Sequence, residues 1–176
     1  MSTTFLDNDQ IGTVATFSEL VQTEFKGKQN ALCWYRNLEG DFKEIVRQLQ
    51  LKEDITEVSP EDLLALQLSE MGNKARAIIL EDLRVLTDFG ASPSLNLLKC
   101  YERDDAFDFI ATDVYSYHVD RSPIATDTFL CTYHGAASDI IANDQAEQKI
   151  LIPEIRNKLK ALHQGPEEEF ESFLKE

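Results

Sequence analysis

The sequence predicts an α+β fold in which N-terminal helices pack on an antiparallel sheet and further helices follow at the C-terminus. Three observations predict it. Apolar residues recur at helical spacing between Ser18 and Phe89. After Gly90-Ala91-Ser92-Pro93 they gather into short runs broken by acidic and proline turns, and after Gly135 the three- and four-residue spacing returns.

Taken in order, Ser18 to Phe25 places Leu20, Val21 and Phe25 behind a serine able to cap, so a short helix is expected there, ended by Lys26-Gly27-Lys28. Ala31 to Tyr35 is a compact apolar run with two aromatics and reads as a buried strand. Gly40 to Leu51 carries Phe42, Ile45, Val46 and Leu49 on one helical stripe. Ser59-Pro60-Glu61-Asp62 is a helix start with proline at the first position and acids in the first turn. That helix is expected to run to Phe89, with a weak point at Gly72 and an apolar face of Met71, Ala75, Ile78, Ile79, Leu83, Leu86 and Phe89.

The sheet is expected from Leu95 to Tyr101, Phe107 to Tyr117 and Thr128 to Tyr133. The C-terminal helices follow from Ile150, Leu151, Ile155, Leu159 and Leu162, and then from Phe170, Phe173 and Leu174 beyond Gly165-Pro166. The expected core includes Trp34, Ile78, Ile79, Leu83, Leu86, Leu97, Phe109 and Leu130. Residues 1–176 read as a single domain. The halt at Lys175-Glu176, still in helical register, suggests the N-terminal part of a longer protein.

Seventeen basic against 32 acidic side chains give a net charge of −15. Such a surface repels phosphate backbones, so nucleic acid is not an expected partner. The acidic run Glu167-Glu168-Glu169 suits the first turn of a helix, where carboxylates complement the dipole. Cys33, Cys100 and Cys131 lie at wide spacing in apolar runs and read as buried thiols of a reducing compartment. The first residues carry no leader-like pattern, and no run approaches the ~18 apolar residues of a membrane helix. A cytoplasmic protein that neither enters nor crosses a membrane is therefore expected.

His118 and Asp120 form the constellation that most resembles a metal site. On a strand from Val114 to Asp120, the period of two would put Ser116, His118 and Asp120 on one face, so that imidazole and carboxylate project together. Such a pair supplies two of the three ligands of a facial triad on Fe(II). The spacing also suits a histidine held by a backbone carbonyl and an aspartate capping the turn at Asp120-Arg121-Ser122-Pro123. A third ligand stays unassigned between His134 and His163, the other two histidines. No cysteine follows a turn that would expose it as a nucleophile, and zinc, phosphate-loop and dinucleotide spacings are absent. Asp104-Asp105, Asp108 and Asp113 could serve a hydrolase.

Tyr117-His118-Val119-Asp120-Arg121-Ser122-Pro123, followed by Phe129-Leu130-Cys131-Thr132-Tyr133-His134-Gly135, resembles the uncharacterised bacterial family called domain of unknown function 1826. That family's pattern is an aromatic-His-Val-Asp segment, a proline turn, and an apolar strand ending in Thr-Tyr-x-Gly. More distantly, Leu97 to Tyr133 resembles the first half of the iron and 2-oxoglutarate dioxygenase core. That likeness implies half of a double-stranded β-helix, Fe(II) held by His118 and Asp120, and 2-oxoglutarate as cosubstrate, with Tyr101 or Arg121 orienting a ligand. The distal histidine and the arginine of such enzymes have no counterpart, since no arginine other than Arg156 follows Arg121. Either the fold has lost the catalytic function or the second half of the barrel lies elsewhere; the second is preferred, and on that view His163 is a helix residue. Whether the chain is an enzyme is left open. The functions expected are an oxygenase-like metal-binding protein, a noncatalytic acidic interaction protein, or a metal-dependent hydrolase. Substrate and oligomeric state are not legible.

Overall fold

The computed structural model describes residues 9–104, 106–119 and 124–174. Helix and strand are mixed, as the sequence predicts, with most of the regular structure helical. The chain divides into two compact units: Met1–Tyr101 with Asp127–Ser138, and Glu102–Thr126 with Asp139–Glu176.

The first unit contains β1 (Ile11–Val14), α1 (Phe17–Gln22), β2 (Ala31–Trp34), α2 (Phe42–Gln48), β3 (Ile55–Glu57), α3 (Pro60–Ala65), α4 (Glu70–Phe89) and β4 (Asn96–Leu98). β1 pairs in parallel with β2, Ile11 opposite Ala31 and Val14 opposite Trp34. β3 pairs antiparallel with β4, Ile55 opposite Leu98 and Glu57 opposite Asn96. β1 and β3 were not anticipated, because four and three residues are too few to establish an alternation.

Side-chain caps explain where these helices begin. The α1 cap is Thr16 rather than Ser18: its hydroxyl accepts the Glu19 amide at 3.1 Å, and the Glu19 carboxylate in turn accepts the Ala15 amide at 2.7 Å. Asp41 caps α2 by accepting the Glu44 amide at 3.0 Å. Ser59 and Asp62 form a reciprocal capping box ahead of α3, with Pro60 at its first position.

The expected single helix from Ser59 to Phe89 is two helices, and the break falls between Ala65 and Glu70 instead of at Gly72. Ser69 starts α4 by accepting the Gly72 amide at 3.1 Å. Glu44 of α2 accepts the Ser69 hydroxyl at 2.6 Å and its amide at 2.9 Å. A Cβ at Gly72 would collide with the Glu44 carboxylate, so a larger residue there would displace the side chain that holds Ser69. At the other end Gly90, with φ of +98°, takes the left-handed conformation that closes α4.

The core forms where α2, α3 and α4 face one another. Phe42, Ile45, Val58, Leu63, Ala75 and Ile79 are buried together, and Leu63 is completely enclosed. Burying a leucine fully contributes about 1.5–3 kcal/mol, so Leu63 anchors the unit. Of the expected core, Ile79 is buried, while Trp34, Ile78, Leu83, Leu86 and Leu97 are half-buried. Leu130 is 77% exposed and does not belong to it. Met71 and Phe89, expected on the apolar face of the helix, are exposed. Cys33 and Cys100 are half-buried free thiols, whereas Cys131 is exposed, against the expectation for a residue in an apolar run.

The second unit contains 3₁₀ turns at Asn143–Gln145, Lys149–Leu151 and Glu167–Glu169, with α5 (Pro153–Leu162) and α6 (Phe170–Phe173). Leu159 and Phe170 are its buried apolar residues among those described. Arg156 pairs with Glu171 and Lys160 with Glu167, so part of the acidic run neutralises the cations of α5.

Among the described residues, the sheet expected from Leu95 to Tyr133 is reduced to β4. No strand occurs among the described residues of Phe107 to Tyr117 or in Thr128 to Tyr133. Aspartate side chains take the backbone amides that a ladder would use: Asp104 accepts the Ala106 amide at 2.9 Å, and Asp113 accepts the Tyr115 amide at 3.1 Å. These local turns compete with strand pairing and win where apolar runs are short and interrupted by acids. No helix among the described residues is long and apolar enough to cross a membrane.

Candidate functional site

His118 lies just beyond one of these aspartate turns, in the second unit. The Asp113 carbonyl accepts the Ser116 hydroxyl at 2.9 Å. Arg103 donates to the Asp113 carboxylate at 3.2 Å and lies over the Tyr115 ring, 3.9 Å from its centre. Residues 113–116 are therefore held from several sides. The Ser116 carbonyl then accepts a hydrogen bond from His118 Nδ1 at 2.7 Å. A carbonyl oxygen can only accept, so Nδ1 carries the proton and, in the neutral ring, Nε2 is the basic nitrogen.

His118 is exposed and sits on irregular backbone, not on the expected strand; Tyr117 and Val119, which the strand would turn to its opposite face, are 63% and 86% exposed. The same-face argument for His118 and Asp120 therefore loses its strand. Asp120 and Arg121 lie outside the described residues.

The other histidines are placed differently. His163 sits at the C-terminal end of α5, its Nε2 2.9 Å from the Pro166 carbonyl and its ring against Phe170 and Phe173 at 5.6 and 5.0 Å. Since Nε2 must donate to that carbonyl, His163 closes a turn. His134 is exposed and belongs to the first unit. Tyr101 is exposed at the end of the first unit's main segment. Among the described residues, no three His, Cys, Asp or Glu side chains gather as a metal ion would require.

Two of the acids offered for hydrolysis, Asp104 and Asp113, are poorly suited to proton donation. The Thr112 hydroxyl and the Ala106 amide hold the Asp104 carboxyl below its ordinary range. Burial pushes the Asp113 carboxyl up, but the Arg103 guanidinium and the Tyr115 amide outweigh it and leave the group low. A general acid at neutral pH needs the opposite shift.

The best-organised polar cluster, in the first unit, was not anticipated. Arg36 grips Asp82 with two hydrogen bonds of 2.7 Å. The Tyr133 hydroxyl donates to the same carboxylate at 2.8 Å, and its ring stacks on Phe42 at 5.6 Å. Arg36 also lies 4.4 Å from the Trp34 ring centre and 3.5 Å from the Cys131 sulfur. Burial, reinforced by the bond to Asp82, raises the Tyr133 phenol above its ordinary value. Its members stand 46 and 51 positions apart, beyond the reach of any local spacing rule.

No family model, no curated protein and no solved structure matches this chain.

Proposed function

We propose that the chain is a metal-binding, oxygenase-like protein in which His118 Nε2 and the Asp120 carboxylate bind Fe(II). The 2.7 Å hydrogen bond from His118 Nδ1 to the Ser116 carbonyl carries this reading. Metal-ligating histidines characteristically hold their second ring nitrogen on a carbonyl or carboxylate, which sets the tautomer and raises the basicity of the ligating nitrogen. The same bond suits a histidine that only pins a turn, so metal uptake is what separates the two roles.

By its chemistry the imidazole fits a borderline divalent ion, and a carboxylate beside it fits Fe(II). The set is incomplete, because the described residues gather no third ligand. Bound Fe(II) would supply open positions for oxygen and a 2-oxo acid. No arginine other than Arg156 follows Arg121 to grip the carboxylate of 2-oxoglutarate, and no step is assigned to that cosubstrate. The half double-stranded β-helix is attached to this reading through the resemblance of Leu97 to Tyr133 alone.

The test is anaerobic Fe(II) titration of the wild type, His118→Ala and Asp120→Ala. Saturable uptake by the wild type, weakened at least about tenfold in both variants, is expected. Equal, negligible uptake by all three would overturn the reading.

A noncatalytic interaction protein is the second reading. It is favoured by the exposure of Tyr117, Val119, Ile124, Ile140 and Leu151 in the second unit, each more than 60% accessible. Exposed large apolar side chains mark association surfaces where they gather into a contiguous patch, which is the arrangement this reading requires of them. Sedimentation velocity over a wide concentration range tests its simplest form, self-association. An invariant monomer would remove that form.

A further inference from the structure

We draw no further inference here: the strongest candidate, the Arg36, Asp82 and Tyr133 side-chain cluster of the first unit, carries nothing because its polar groups satisfy one another and the exposed Cys131 beside it is a lone cysteine with no second observation that names a ligand.

Discussion

The first unit and the segment around His118 use the same chemistry to opposite ends. In the first unit, Asp41, Ser59 and Ser69 accept backbone amides at helix starts, and each bond launches a helix whose apolar face reaches a shared core. In the second unit, Asp104 and Asp113 also accept backbone amides, but no helix or strand follows among the described residues before Thr126. A polar side chain bonded to its own backbone organises structure only when apolar residues behind it have somewhere to pack. Where they do not, the chain keeps a local turn and presents its side chains to water.

If that contrast is right, the largest effect should come from the first unit's core. Leu63→Ala, at a position with no exposure, should cost about 3 kcal/mol, read from urea unfolding followed by circular dichroism. A change under 1 kcal/mol by the same assay would mean that α3 is not packed as described.

Next in size is Asp82→Ala, which strands a largely buried guanidinium and the Tyr133 hydroxyl. A loss of about 2 kcal/mol is expected in the same assay. Asp82→Asn, which keeps one acceptor, should lose less than Asp82→Ala.

Tyr133 gives a pH-dependent test. Its native phenol titrates above the ordinary value, so the stability tied to it is fully present below about pH 10, where the unfolded phenol also keeps its proton. That stability is lost as the pH rises from there through the native value. Tyr133→Phe should therefore flatten the alkaline decline of the unfolding midpoint. An unchanged alkaline slope would show that this phenol is not shielded by burial and by Asp82.

The smallest effect is expected at His118, exposed and hydrogen-bonded to the nearby Ser116 carbonyl. Without metal, His118→Ala should alter unfolding free energy by no more than about 0.5 kcal/mol. A large loss would place His118 in a packed structure and weaken its assignment as a ligand.

How much was legible follows the same division. The helices at Phe42–Gln48, Pro60–Ala65, Glu70–Phe89 and Pro153–Leu162 all fell within expected helical stretches, because caps, proline positions and apolar spacing agree locally. The split after Ala65 was missed, since it depends on Glu44 reaching across from α2 to hold Ser69. The strands expected at Phe107 and Thr128 rested on apolar runs alone, and aspartate turns displaced the first of them. At the candidate site, the residue type could be read from the sequence, and so could the option of a backbone carbonyl holding the ring in place of a metal role; that the Ser116 carbonyl does so, and that no strand aligns His118 among the described residues, could not. The Arg36, Asp82 and Tyr133 cluster left no local trace, because its residues meet only once the first unit has folded.

The assignment of His118 as a ligand turns on its tautomer and on what Nε2 does when metal arrives. Long-range ¹H–¹⁵N NMR of the imidazole, recorded before and after addition of diamagnetic Zn(II) as a stand-in for Fe(II), reads both. A protonated Nδ1 and a basic Nε2 are expected in the metal-free protein, with the Nε2 resonance shifting on titration in the wild type and needing at least about tenfold more Zn(II) to shift in Asp120→Ala. A protonated Nε2, or an Nε2 resonance indifferent to metal, would contradict that assignment.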